Sequence, residues 1–593
     1  MDPAAATAAA GDEAALRPAA SMAEATGVTP APVAPGANAS AVAGPANSRL
    51  PAVLQTAAAL LWLPQAGLIS HVIGTLAAEP SLRVAVWPAA GVLLIGTVKA
   101  ALEAGGTRLA FADARKVLSE RRATAIAALA ARSPLDAARP ASGLAASVLA
   151  EQAEMVVPYL ARFRPARLKA SLVPIAVLLC VLPFSWVAAL VLLIAAPLIP
   201  VFMALIGWRA KAASEEQLAE TGGLNGFLLD RLRGLTTIRA LGAVELTALR
   251  LRTEAQSLRR RTMVVLRIAF LSSAVLELFA ALGVALTAVY VGFHLLGALN
   301  FGSWGTRLSL SEGLFILLLA PAMFEPLRDL SAVWHDRASG EAALQALYDL
   351  AKGGTPLPGA GIEASVATVR TPTPPPSVMV AGLRFCHAGS NRPVLDGFHL
   401  SVAAGEHVAL LGPSGSGKST LLALIAGLAG IDSGCITIDG LALDPLSAGA
   451  LRSRMAWIGQ RPHLFAGSLA ANITLGRDAV GPRETAAALH MAALTEVARA
   501  HGQRPIGENG IGLSGGEALR LALARACADP TAELVLADEP TAHLDRQTAD
   551  DIIEGLLLLG HGRTLIVATH DPLLAARMDR IVDLRPQNLE CGS

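Results

Sequence analysis

The chain has 593 residues, five cysteines and a formal net charge of +1. Hydrophobic residues make up 53% of it and charged residues 16%, at a mean hydropathy of +0.51; that is too apolar for an ordinary soluble protein and gives no global basis for nucleic-acid binding. Cys180, Cys386, Cys435, Cys527 and Cys591 are odd in number and lack metal-ligand spacing, which argues against a zinc site and a disulfide framework.

Residues 1–48 are Ala, Pro, Gly, Ser and Thr with few large apolar side chains, a segment expected to be disordered. Arg17 is its only basic residue, with Arg49 just after it, and no apolar targeting core follows a basic flank, so no presequence is expected. From Pro51 the chain turns apolar. Segments near 51–76, 84–104, 167–184, 186–208, 266–293 and 309–328 each approach the roughly 20 residues that cross a bilayer. A six-span α-helical bundle over residues 49–351 is the expectation.

The connections between these spans differ in charge. The first, third and fifth carry little beyond Arg83 and Arg307, whereas the second and fourth are long and basic, with Arg115, Lys116, Arg121 and Arg122 in one and Arg231, Arg233, Arg239 and Arg259-Arg260-Arg261 in the other. Basic connections stay on the cytoplasmic side, which puts both termini and both long connections there. An RNA-binding patch is the alternative for the Arg259 run, but no stacking aromatics interleave it, and a membrane-flanking anchor is the better reading. Leu228, Leu229, Leu232, Leu235 and Ile238 recur at helical spacing over Leu224 to Leu241, so the membrane helices should continue beyond the bilayer.

Two ionisable residues fall within the spans. Glu277 is costly in hydrocarbon and should face the bundle interior or a wet cavity, as a substrate or proton group or as a hydrogen-bond partner of a neighbouring helix. His71 is a candidate ligand for substrate, metal or haem, against an interfacial hydrogen-bonded histidine. Pro197, Pro200, Pro321 and Pro326 should kink or end helices.

Residues 352–377 are rich in Pro, Gly and Thr and read as a linker. Beyond it, over residues 378–593, apolar strands alternate with helices: Val378 to Phe385, Gly405 to Leu411, Met455 to Ile458, Glu533 to Leu536 and Thr564 to Thr569. An α/β domain with a largely parallel sheet follows.

This second domain carries phosphate chemistry. Gly412-Pro413-Ser414-Gly415-Ser416-Gly417-Lys418-Ser419-Thr420 sits after a predicted strand and before a predicted helix, so backbone N–H groups and a helix N-terminus make a phosphate cradle for a nucleoside triphosphate. Glycines 412, 415 and 417 let the backbone curl, Lys418 should reach the β- and γ-phosphates, and Ser419 should ligand Mg²⁺. Leu513-Ser514-Gly515-Gly516-Glu517 precedes a helix over Ala518 to Ala528 and makes a second anion-binding N-terminus. One chain with one cradle does not need two, so the second should close on a nucleotide held by another chain. Asp538 and Glu539 end an apolar strand before Pro540; Asp538 suits Mg²⁺ and Glu539 an attacking water. His570 follows another apolar strand, where it can hold the γ-phosphate or that water.

With these motifs in order, residues 378 to 585 resemble an ATP-binding cassette: the Gly412 to Thr420 loop, Gln460 in Trp457-Ile-Gly-Gln460, the Leu513 to Glu517 signature, Asp538 with Glu539, Leu544-Asp545, and His570. The resemblance implies ATP and Mg²⁺, with Ser419, Gln460 and Asp538 around the metal, Glu539, His570 and Gln460 as catalytic groups, and Ser514, Gly515, Gly516 and Asp545 contributing to nucleotide binding. His387 stands where such cassettes stack an aromatic on adenine, Ala542-His543 replaces a small-residue pair, and Glu517 stands for a commoner Gln. A membrane half ahead of the cassette resembles the exporter order, in which two half-transporters pair.

The runs Ala195 to Gly207, Phe227 to Gly234, Leu266 to Glu277 and Leu319 to Leu330 are similar to the CydD family, one half of a bacterial exporter needed for cytochrome bd assembly. That resemblance implies a heterodimer with a CydC-like half in the bacterial inner membrane and export of glutathione or cysteine, with haem handling as an alternative. A lipid or drug exporter of the same architecture is a further alternative.

Overall fold

The computed structural model describes residues 49–584, apart from 79–81, 198–227, 229–230, 232–233, 306, 362–373, 391, 503 and 508–511. The expectation for residues 1–48, most of the Ala195 to Gly207 run and much of the Leu224 to Leu241 helix lie outside the described residues; of that helix, Leu235–Ala240 is described.

Among the described residues, four stretches are helical, long and apolar enough to cross a membrane: Leu50–Ala78, Ala85–Ala130, Ala274–Leu295 and Leu310–Ala351. The third expected span is the helix Arg164–Val181, whose first turns carry Arg164, Arg167 and Lys169. The fourth begins as Trp186–Pro197 and then leaves the described residues. Two helices far outrun the bilayer. Leu82–Ala130 has 49 residues and Val244–Leu295 has 52, about 74 and about 78 Å at the α-helical rise, against roughly 30 Å of hydrocarbon.

The helix Leu310–Ala332 is the axis of the membrane core. Ser309 caps it in a reciprocal box with Glu312, and Pro321 and Pro326 lie within it without ending it. Its Ile316, Leu319, Met323 and Phe324 are fully buried among Val177, Leu192 and Ala280. Gly283 permits that contact, since a Cβ there would come within 2.5 Å of Phe324 Cζ. A second apolar cluster lies beyond the membrane stretch, where Leu118, Val156 and Leu160 meet Leu347 and Leu350 of the helix Trp334–Ala351.

The cassette contains two sheets rather than one largely parallel sheet. Strands β1 (Val378–Phe385), β2 (Leu395–Val402), β4 (Ser433–Ile438) and β5 (Leu441–Ala442) form an antiparallel sheet in the order β2-β1-β4-β5. Strands β3 (His407–Leu411), β6 (Met455–Ile458), β7 (Leu534–Asp538), β8 (Thr564–Thr569) and β9 (Arg580–Asp583) form a parallel sheet in the order β6-β7-β8-β3-β9. Strands β7 and β8 are buried along their whole length, as a parallel sheet covered on both faces requires. The helices Leu469–Thr474, Pro482–Met491, Thr495–His501 and Gly515–Cys527 fill the long crossover between β6 and β7.

The first long connection meets this cassette directly. Ser133 Oγ donates to Leu428 O at 2.5 Å, and Leu135 packs on the apolar cluster shared by β1, β4 and the helix Lys418–Ile425. The near end of the linker is pinned there as well. Arg132 Nη2 donates to Leu350 O and Lys352 O at 2.8 and 2.7 Å, Thr355 N–H donates to Asp136, and Arg452 Nη2 donates to Pro358 O.

Candidate nucleotide site

Parallel pairing brings the C-terminal ends of β3, β7 and β8 to one edge, and the phosphate loop, the Asp538-Glu539 pair and His570 leave from that edge. In the loop, Gly415 and Gly417 have φ of +84° and +93°, and Gly417 caps the helix Lys418–Ile425 from the left-handed region. Gly412 does not share that conformation. It supplies room instead, because a Cβ there would sit 2.8 Å from Ser416 Oγ.

Lys418 is buried, and its Nζ donates to the carbonyls of Gly412 and Pro413 at 2.8 and 3.0 Å. Ser416 Oγ is buried without a hydrogen-bond partner. A buried ammonium held by carbonyls beside an unmet hydroxyl is the donor set a phosphate needs. Ser419 Oγ donates to Asp538 Oδ1 at 2.9 Å. Burial pushes the Asp538 carboxyl above the usual carboxylate range, with the Ser419 bond and Lys418 opposing and Glu539 reinforcing.

Glu539 is the meeting point. The strand ends at Asp538, Glu539 turns off it at φ +46°, and its N–H donates to Ala568 O at 2.8 Å. Its carboxylate accepts from Gln460 Nε2 at 2.7 Å, lies 3.8 Å from Lys418 Nζ and 3.6 Å from His570 Nδ1. Three residues from three separate segments therefore converge on one carboxylate. His387 stands at the side of the loop, its Nε2 3.4 Å from Thr420 Oγ1 and its ring edge-on to Phe385.

Ser514 is placed elsewhere in the cassette. It caps the helix Gly515–Cys527, which starts three residues before the expected helix, and its N–H and Oγ both donate to Glu517, at 2.6 and 2.8 Å. Those bonds to Ser514 hold the Glu517 carboxyl below its usual range. Asp545 caps the helix Arg546–Gly560 by accepting from Thr548 N–H. In the membrane half, Glu277 forms an ion pair with Arg328 Nε at 3.2 Å, joining the Val244–Leu295 and Leu310–Ala332 helices. His71 is exposed on the helix Trp62–Ala78. No group of three or more His, Cys, Asp or Glu suited to a metal occurs among the described residues.

The ABC transporter model matches residues 395–542 and the ABC transporter transmembrane region matches residues 142–318. The glutathione/L-cysteine transport system ATP-binding/permease protein CydD of Escherichia coli (strain K12) is 38% identical over 437 residues, 73% of this chain and 72% of that protein. The chain is an ABC exporter half-transporter. The transport ATP-binding protein AarD of Providencia stuartii is 33% identical over 88% of both chains. A bacterial Atm1-family ABC exporter with ATP bound superposes with a TM-score of 0.67 at 21% identity, over 91% of this chain and 94% of that one.

As an ABC exporter, the chain is a multi-pass membrane protein whose cassette binds ATP and hydrolyses it in step with transport, and a half-transporter works with a second half. Reading the motifs missed two polar anchors of this exporter's cassette. Arg525, on the signature helix, donates to His463 O, Asn472 O and Asn472 Oδ1 at 2.6, 2.7 and 2.6 Å, and Asn472 Nδ2 in turn donates to Phe465 O. The signal was an arginine interrupting the apolar helix from Leu519 to Ala526; its partners are far away in sequence. Thr541 Oγ1 donates to Asp571 at 3.0 Å, tying the segment after Glu539 to the residue after His570.

Proposed function

We propose that the chain is a CydD-type half-transporter that exports a small thiol, glutathione or cysteine, across the bacterial inner membrane, paired with a CydC-like half and supporting cytochrome bd assembly. The observation that carries the cargo reading is the 38% identity to a protein named as a glutathione/L-cysteine transport subunit. A CydC of Bacillus subtilis (strain 168) is also 31% identical over 72% of each chain, which fits two related halves forming one exporter.

The site residues take the following roles. The Gly412 to Thr420 backbone and Lys418 hold the ATP phosphates, with His387 against the adenine. Ser419, Gln460 and Asp538 hold Mg²⁺, which when bound neutralises charge developing on the phosphates. Glu539 orients and polarises the attacking water, Gln460 and His570 fix that carboxylate and the γ-phosphate, and the geometry around Glu539 supports this assignment. Ser514, Gly515, Gly516 and Asp545 close on the nucleotide of the partner cassette. The basic connections and the cassette lie on the cytoplasmic side.

The deciding experiment is ATP-dependent uptake into inverted vesicles carrying this chain with its partner half. Labelled glutathione or cysteine should accumulate and labelled haem should not. Accumulation of haem alone, or of lipid alone, would overturn the thiol reading. The lipid arm is included because the lipid A-core flippase of Dechloromonas aromatica is 30% identical over 67% of this chain.

A further inference from the structure

A cavity of about 290 Å³ opens in the membrane half where four segments meet: the first helix, the extended second span, the entry to the third span and the end of the last span. Its walls include Ala161, Ala166 and Ala332, small residues that leave space where larger ones would close it. Three charged side chains share those walls: Arg162, Lys169 and Asp329.

The two cations have partners. Lys169 Nζ lies 2.9 Å from Glu103, and Arg162 Nη1 lies 3.5 Å from Asp336. Each keeps further N–H donors beyond that partner. The Asp329 carboxylate is exposed at the cavity wall and within electrostatic reach of Lys169, and it accepts no hydrogen bond among the described residues. A carboxylate with open acceptor sites and two cations with spare donors in one pocket match a molecule carrying both a primary ammonium and an anionic group.

The cavity also lies on a joint. Val333 ends the helix Leu310–Ala332 and precedes the helix Trp334–Ala351, Ala332 and Val333 both line the cavity, and the Arg162–Asp336 pair ties the entry to the third span to the helix beyond the joint. The second helix leads into the linker pinned beside the cassette.

We propose that this cavity binds a small zwitterion, its ammonium on Asp329 and its anionic group on Lys169 or Arg162, and that occupancy bears on the joint toward the cassette. The naming of cysteine or glutathione as the free occupant rests on the thiol-export reading; the same chemistry belongs to the headgroup of phosphatidylethanolamine. The pocket differs from the nucleotide site and from the Glu277–Arg328 pair, and neither needs it for its own geometry.

The test uses the complex of this chain with its partner half, in nanodiscs of phosphatidylglycerol alone, titrated calorimetrically with L-cysteine and with S-methyl-L-cysteine. Both should bind saturably. Asp329→Asn and Ala332→Phe, the second filling the cavity without touching a charge, should each weaken binding about tenfold or more, and Asp329→Glu should retain it. In a lipid arm, phosphatidylethanolamine co-purifying from native membranes is counted for the same proteins; retention by the parent and loss in Asp329→Asn, without amino-acid binding, assigns the site to the headgroup. Basal ATPase activity should be unchanged in all three variants. Amino-acid binding and lipid retention that are both indifferent to Asp329→Asn and Ala332→Phe overturn the site, even if vesicles transport thiols. Binding lost in Asp329→Asn while vesicles transport no thiol leaves the site standing and removes the thiol-export reading.

Discussion

At the scale of single residues, Glu539 is where hydrolysis should be most sensitive. Its carboxylate is held by Gln460 and faced by Lys418 and His570, so the amide that replaces it fits the same space but has lost the basic oxygen. Glu539→Gln should leave nucleotide binding unchanged and lower turnover at this site about 10²- to 10⁴-fold, measured by single-turnover hydrolysis beside nucleotide binding; unaltered turnover removes the assigned role. A second residue-scale expectation concerns pH. Arg580 donates to both Glu406 oxygens, at 2.6 and 3.2 Å, and holds that carboxyl below its usual range. A carboxyl with a depressed folded pKa adds stability above its unfolded value and loses it as pH falls through the folded one. Glu406→Gln should therefore lower the cassette's unfolding temperature near neutral pH, by the equivalent of under about 1 kcal/mol because Arg580 is partly exposed. The difference from the parent should close as pH drops below about 4, followed by thermal unfolding across that range. Motif residues such as Lys418, Ser419 and Asp538 were legible because each is defined by neighbours a few positions away. Their mutual distances were not, since these come from the pairing of β3, β7 and β8.

At the scale of elements, the buried parallel strands were readable as continuous apolar runs, while β2 and β4 were not. Gly397 and Gly434 interrupt these two strands with positive φ, the pairing with β1 shifts register, and no clean alternation of apolar residues survives. The signature helix shows the same limit. Its cap was written in Ser514 and Glu517, but its attachment to the segment after Gln460 runs through Arg525 and Asn472, which no spacing rule pairs. Arg525→Ala would strand the His463 and Asn472 acceptors, and should destabilise the cassette by roughly 2–3 kcal/mol. Arg525→Lys should recover only part, because one ammonium cannot reproduce three directed guanidinium bonds. Thermal unfolding of the three proteins orders them; equal stability of parent and Arg525→Ala rejects the anchor.

At the scale of the whole molecule, the question is how events at Glu539 reach the membrane helices. A helical membrane domain fused to a cassette could be anticipated from hydropathy and motif order, because each of these is a property of contiguous sequence. The junction between the two could not, because it is made by backbone carbonyls that carry no sequence signature. Arg132 is 7% exposed and spends its Nη2 donor on Leu350 O and Lys352 O, while the neighbouring Ser133 bonds Leu428 O just past the helix that begins at Lys418. One short turn thus grips the end of the last membrane-derived helix, the start of the linker and the cassette. Rigid transmission through such a turn requires that all three grips hold together. Arg132→Ala removes two of the bonds and leaves the Glu539 constellation untouched, so ATP binding and basal hydrolysis should persist. Cargo moved per ATP hydrolysed in vesicles should fall several-fold, and Ser133→Ala should add little to it, because Leu135 still packs on the cassette. A parallel loss of hydrolysis and transport would place Arg132 in folding rather than in coupling, whereas unchanged transport per ATP would mean that the coupling runs through the second long connection and the partner half.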